Sequence, residues 1–179
     1  GIYFKLQSFV LMPVFGLNNG MVPIIAYNYG AGHKDRVIKT IKHSVAYGVG
    51  IMFVGLLAMH IFPAQLMRMF DAEESLIAIG APALETISLS FVFAGFCIVA
   101  GSVFQALGNG VYSMIVSVAR QMCVLLPVAK LLSLSGEVTL IWWAFPIAEL
   151  ASVLLTSYFL VRIYRKVICH IGEPVVQDA

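Results

Sequence analysis

Five long stretches of this chain are apolar on all sides, and each is long enough to cross a bilayer as a helix. A bilayer core offers no water to the backbone, so helices are the expected way to satisfy its hydrogen bonds. The third stretch also has room for an entry segment at the membrane interface. The sequence therefore predicts an all-α, polytopic transmembrane helix bundle with spans over Lys5–Tyr29, Ile41–Phe62, Leu76–Leu107, Val111–Leu134 and Val138–Val161.

The composition excludes several other classes of protein. Hydrophobic residues make up 60% of the 179 residues and charged residues 11%, whereas a soluble domain is about 25% charged and 45–50% apolar. An ordinary soluble enzyme and a disordered chain are both excluded. The net charge of +2 is too small to indicate binding to nucleic acid, and the three cysteines form no CxxC pair that would favour a zinc site.

Basic residues predict the direction of the spans. They follow the first and fifth spans, and cytoplasmic loops are the ones rich in Lys and Arg. We expect a multi-pass protein of the plasma (inner) membrane, with the membrane domain over residues 1–166 and a cytoplasmic tail over residues 167–179. The chain begins with Gly1, and its first span enters from outside, so we also expect further helices upstream. The residues that set this direction are Lys34, Arg36, Lys39, Lys42, Arg162, Arg165 and Lys166.

The first span carries an unusual set of polar side chains. At about 100° per residue, Gln7 and Asn18 lie within roughly 40° of each other, with Met21 and Asn28 alongside. One interpretation is an amide face that lines a water-filled cavity. The other is that Asn and Gln simply hydrogen-bond to neighbouring helices.

Two prolines interrupt the hydrogen-bond ladder of the same span. Pro13 and Pro23 each remove one helical hydrogen bond, and we expect them to bend the helix. Farther along, Gln105 stands one turn before a Gly-Asn-Gly corner, where it either faces the mouth of a pathway or caps the turn.

Two charges lie deep inside the apolar stretches. A charge at the bilayer centre costs about 2.5–3.5 kcal/mol on insertion scales, so such residues usually face the protein interior or water. Arg120 and Glu149 are therefore expected to pair across the fourth and fifth helices or to lie on a gating surface. The alternative is that each is a structural anchor near a helix end.

Several strings resemble the multidrug and toxic compound extrusion (MATE) family in order and spacing. The run from Pro13 to Gly32, with PVFGL and PIIAYNYGAG, is similar to the eighth helix of that family. FQALGNG at 104–110 resembles the end of its tenth helix, Arg120 with Leu126-Pro127 resembles its eleventh, and WAFPIAE at 143–149 resembles its twelfth.

The resemblance implies helices eight to twelve of a twelve-helix antiporter, that is, part of its C-terminal lobe. It implies secondary active multidrug efflux, in which small amphipathic and often cationic compounds exchange for Na⁺ or H⁺. The other partners are the bilayer and the N-terminal lobe of the same polypeptide, and no catalytic residue or cofactor is expected. The residues expected to line the substrate cavity are Gln7, Met12, Asn18, Met21, Asn28 and Gln105.

The coupling site is expected outside this chain. Some branches of the family carry a cation-binding acid in the tenth helix, but no Asp or Glu occurs from Thr86 to Gly110. Two alternatives remain. A flippase for lipid-linked precursors would favour more basic residues than Arg120 alone. A membrane-embedded enzyme or scaffold subunit would require Glu85, Arg120 and Glu149, which lie on three different spans, to converge.

Overall fold

The computed structural model describes residues 1–172, and these form helices joined by short turns, with no strand among them. The long helices α1 and α2 are followed by a short α3, and the last long helix is α9. The bounds are α1 Ile2–Gly30, α2 Lys34–Ile61, α3 Pro63–Arg68, α4 Glu74–Ser88, α5 Phe91–Ala106, α6 Gly110–Val118, a π-helical segment Ala119–Leu125, α7 Leu126–Ser133, α8 Val138–Ile141, α9 Ala144–Lys166 and a 3₁₀ turn Ile168–His170.

The predicted all-α bundle is confirmed. Four helical runs in the described part of the chain are long and apolar enough to cross a membrane, and a fifth is added if α4 and α5 count as one span. The fourth span is α6, the π-helical segment and α7 in series over Gly110–Ser133. The fifth begins with α8 and continues through α9.

The third span is not the single apolar run that the sequence suggests. It breaks at Leu89 and Ser90, and α4 and α5 meet there at an angle of 49°. The Ser90 hydroxyl donates to the Ile87 carbonyl at 2.6 Å, and the Ser88 hydroxyl donates to the Glu85 carbonyl at 3.0 Å. Serine hydroxyls that bond to carbonyls three residues back compete with the helical ladder and bend it.

Helix α5 lies at the centre of the bundle, where it packs against α1, α2, α6 and α9. It approaches α2 closely at Gly48 and Gly95, where a Cβ on Gly95 would lie 3.0 Å from the Gly48 carbonyl oxygen. Lipid tails are as apolar as the helices, so close van der Waals packing through small residues holds spans together in a membrane. This glycine crossing fixes α2 against α5.

One end of the bundle gathers the basic residues that follow the first and fifth spans. The Lys34 ammonium at the start of α2 donates to the Cys169 carbonyl beyond α9 at 3.1 Å, and Ile168 and Ile171 are buried there. Residues 167–172 of the predicted tail thus pack against the turn between α1 and α2. Residues 173–179 of that tail lie outside the described residues.

Candidate functional site

A cavity of about 550 Å³ lies among α1, α5, α6, the π-helical segment and α9. Its wall combines two aromatic rings with hydroxyls, amides and one guanidinium, which is the mixture that a site for an amphipathic molecule needs. The lining residues are Phe15, Asn18, Asn19, Val22, Pro23, Cys97, Ile98, Gly101, Ser102, Phe104, Gln105, Ser113, Val116, Ser117, Arg120, Ser152 and Thr156.

Small polar residues at helical spacing bring the hydroxyls to this wall. Ser113 and Ser117 are four residues apart on α6, and Ser152 and Thr156 repeat that spacing on α9. Residues four apart lie on one face of a helix, so each pair faces the cavity together. These four residues are not among the candidates predicted from the sequence. Their repeated spacing is the signal that would have found them.

An ion pair joins the fourth and fifth spans beside the cavity. The Arg120 Nη1 donates to Glu149 Oε1 at 2.7 Å. The Glu149 side chain is 11% exposed and that of Arg120 is 36% exposed, so the carboxylate is the more deeply buried partner. Within residues 1–172, Glu149 Oε2 has no hydrogen-bond partner.

The backbone around Arg120 departs from the α-helix. Arg120 is the second residue of the π-helical segment, which ends just before Leu126 and Pro127. Proline has no N–H to donate, so the regular ladder cannot continue through it. π-Helical turns occur mostly as single-turn bulges inside α-helices, and they are frequent at functional sites. This one carries the guanidinium that borders the cavity and bonds to Glu149 on α9.

Besides Arg120, three of the residues proposed from sequence lie on the cavity wall. Asn18 is buried there, and its Oδ1 has no hydrogen-bond partner in the described part of the chain. Pro23 is the second. Gln105 is the third, and its Nε2 donates to Ser113 Oγ at 3.4 Å, so the side chain bridges α5 and α6 and does not cap the turn.

The other residues expected to line the substrate cavity lie elsewhere on α1. Gln7 is half-buried and Met12 is exposed. Met21 is buried and borders a separate groove between α1 and α2. Asn28 is buried too, and its Nδ2 donates to the Ile24 carbonyl at 2.8 Å. The expected amide face is therefore a buried face, of which only part borders the cavity.

The prolines of the first span do not interrupt it. Helix α1 continues from Ile2 to Gly30 with Pro13 and Pro23 inside it, so the bend expected from their missing hydrogen bonds stays a prediction. Pro13 is exposed on the outer surface, whereas Pro23 borders the cavity. Pro23 is therefore the proline that can shape this site.

The match to a known family follows the same elements. The MatE family profile matches residues 1–131 of the chain, which include every cavity-lining residue of α1, α5 and α6. The chain belongs to the MatE family. The resemblance found in the sequence motifs is thereby confirmed.

Curated MatE relatives are longer than this chain. The multidrug export protein MepA of Staphylococcus haemolyticus (strain JCSC1435) is 25% identical over 166 residues, which cover 93% of this chain and 36% of the relative. MepA of Staphylococcus aureus (strain N315) is 28% identical over 150 residues, which cover 83% of this chain and 33% of the relative. The chain thus spans about a third of the length of these proteins.

Solved MATE structures share the fold. The MATE multidrug transporter DinF-BH, solved in complex with rhodamine 6G, superposes with a TM-score of 0.80 at 32% identity, covering 92% of this chain and 36% of that one. A MATE solved in complex with MaL6 superposes with a TM-score of 0.83 at 16% identity, over 92% of this chain and 38% of the other. The second likeness, at such low identity, concerns the fold alone.

The described titratable residues do not form a catalytic cluster. Glu85 is exposed on α4, whereas Glu149 is buried against Arg120. No three His, Cys, Asp or Glu side chains come together within residues 1–172 in a way that would hold a metal ion. The names of the MatE relatives point to a transporter and not to an enzyme.

Proposed function

We propose that this chain is part of a secondary multidrug exporter and that its cavity is this lobe's share of the substrate site. The observation that carries the proposal is a cavity of about 550 Å³ with a partly polar wall inside a bundle of apolar spans. Small amphipathic compounds, many of them cationic, are the expected substrates. The export function in the names of the MepA relatives supports the same conclusion.

Export is proposed to be driven by exchange for Na⁺ or H⁺, with the coupling acid outside this chain. Among the described residues that line the cavity, none is an Asp or a Glu. Glu149, the buried carboxylate nearest to the wall, is already bonded to Arg120. The missing part of the polypeptide, including the N-terminal lobe, would supply both the acid and the opposite wall.

The proposed location is the plasma (inner) membrane, with the C-terminus in the cytoplasm. The contact between Lys34 and Cys169 supports this orientation, because it brings the two basic segments to one end of the bundle. Lys- and Arg-rich segments are retained on the cytoplasmic side.

Dye accumulation in cells tests the export function. Cells that express the full gene product containing this chain should accumulate less rhodamine 6G than cells lacking the gene. The difference should disappear when the Na⁺ and H⁺ gradients are collapsed with ionophores. Accumulation equal to that of cells lacking the gene, with the gradients intact, would contradict the proposal.

The flippase alternative has weaker support. Lipid-linked precursors carry phosphates, which favour a site with several Lys or Arg side chains. The described cavity wall has Arg120 and no second basic residue.

A further inference from the structure

We infer that Arg120 is a substrate-binding residue that selects amphipathic compounds carrying a carboxylate, in addition to any cationic group. The inference rests on the proposed export function and specifies the chemistry of one part of its site. It starts from the charge of the wall: among the described lining residues, Arg120 is charged and the others are neutral.

The two members of the ion pair are not equally available to a ligand. Arg120 borders the cavity and has 36% of its side chain exposed, whereas Glu149 has 11% exposed and lies behind it. A ligand in the cavity therefore meets the cation of the pair before the anion. This arrangement favours a ligand with a negative group at that point of the wall.

The Arg120 guanidinium has unused hydrogen-bond donors. Arginine carries five N–H donors and no acceptor, and the described structure uses one of them, in the 2.7 Å bond from Nη1 to Glu149. A planar carboxylate matches the guanidinium fork and accepts two parallel hydrogen bonds from it. Glu149 holds the arginine in place and balances its charge while the cavity is empty.

A second polar group on the wall lacks a partner. Asn18 is buried at the cavity, and its Oδ1 accepts no hydrogen bond within residues 1–172. Buried polar atoms are almost always satisfied. Because Asn18 lines the cavity, a rotation of its amide would offer this acceptor to an N–H or O–H donor on a ligand. The wall thus offers donors at Arg120 and an acceptor at Asn18, which together suit a molecule with a carboxylate and an N–H group.

A matched pair of dyes isolates the carboxylate. Rhodamine 6G is an ethyl ester with cationic character, and rhodamine 19 is the same ring system with the free acid. Both carry N–H groups, so they differ only at the group that Arg120 is inferred to bind. Transport of each dye would be measured in membrane vesicles that contain the full gene product.

The main variant is the double substitution Arg120→Gln with Glu149→Gln. Removing both charges avoids leaving a buried carboxylate without its partner, which is strongly destabilising. We expect the KM for rhodamine 19 to rise about tenfold or more, as the loss of a charge-assisted hydrogen bond predicts. The KM for rhodamine 6G, which has no free carboxylate, should change by less than about twofold.

The single substitution Glu149→Gln gives the opposite expectation. It frees Arg120 from its partner, so the KM for rhodamine 19 should fall. The KM for the cationic rhodamine 6G should stay the same or rise, because the unbalanced guanidinium repels a positive charge. If the ion pair were only structural, each variant would change the KM for both dyes by the same factor. A difference between the two dyes therefore reports on binding and not on folding.

Three results would overturn the inference. They are an equal change in KM for both dyes in the double variant, a higher KM for rhodamine 19 in Glu149→Gln, and a wild-type protein that exports rhodamine 6G but not rhodamine 19. If the wild-type protein exports neither dye, the proposed export function fails with it. If the wild-type protein exports rhodamine 6G normally, any of the three results contradicts only the role of Arg120.

Discussion

At the residue scale, Asn18 and Asn28 have different surroundings although both are buried on α1. The Oδ1 atoms of both lack a partner among the described residues. Asn18 borders the cavity, whereas the Nδ2 of Asn28 donates to the Ile24 carbonyl at 2.8 Å in its own helix. The first is placed to bind a ligand. The second is placed to satisfy its own backbone.

Substituting each asparagine by leucine separates these roles. We expect Asn18→Leu to raise the KM for rhodamine 6G and rhodamine 19 by a similar factor of about five to ten, because a buried hydrogen bond of about 1 kcal/mol or slightly more is lost. Asn28→Leu is the matched control, and its KM values should stay within about twofold. A larger effect from Asn28→Leu than from Asn18→Leu would restore Asn28 as a cavity residue.

At the scale of the elements, the packing of α2 against α5 depends on which glycine of α2 faces its neighbour. A Cβ on Gly48 would lie 2.5 Å from Val99 Cγ2, while a Cβ on Gly50 would meet nothing within 4 Å. Val99 is β-branched and has essentially one rotamer in a helix, so it cannot move aside easily. The two glycines lie on the same helix and differ in what faces them.

Thermal unfolding of the purified full gene product in detergent tests this difference. Gly48→Ala should destabilise the protein by about 1–3 kcal/mol, the usual range for overpacking, and lower the unfolding midpoint. Gly50→Ala should leave the midpoint unchanged or raise it slightly, because alanine is the better helix former. Equal midpoints for the two variants would show that α2 and α5 are not in close contact in the membrane protein.

Two spans contain an irregular element, and one of these elements lies at the site. The break between α4 and α5 and the π-helical segment before α7 both interrupt spans that would otherwise be straight rods. The π-helical segment brings Arg120 to both the cavity wall and Glu149 on α9. The π-helical departure is therefore located where polar groups of the fourth and fifth spans meet.

At the scale of the whole molecule, the ends of the bundle differ in charge. The end that holds the α1–α2 turn and the residues after α9 carries seven Lys and Arg side chains, namely Lys34, Arg36, Lys39, Lys42, Arg162, Arg165 and Lys166. The turn between α7 and α8 contains Glu137 and no basic residue. This asymmetry predicts that the end with the α1–α2 turn faces the cytoplasm.

Cysteine labelling tests the orientation. In a full gene product whose native cysteines are replaced by serine, Ser135→Cys should react with a membrane-impermeant maleimide on intact cells. Arg36→Cys, which is also at an exposed position, should react only after the membrane is permeabilised. The reverse pattern would contradict the proposed orientation. A cytoplasmic marker protein that must stay unlabelled on intact cells serves as the control for membrane leakage.

The sequence by itself determined the properties that are local along the chain. Apolar length predicted the spans, basic residues predicted a direction, and short motifs pointed to the family, because each depends on residues close together in sequence. The break at Leu89 and Ser90 was missed because serine is compatible with an apolar helix, and its effect depends on where the hydroxyl bonds.

Only the tertiary structure decided which polar residues share a site. The cavity wall is assembled from positions between 15 and 156 on separate helices, so its membership depends on how the spans pack and not on any one of them. The pairing of Arg120 with Glu149 and the separation of Asn18 from Asn28 have the same cause. A helix face can be read from its own periodicity, but the surface that it faces is set by its neighbours.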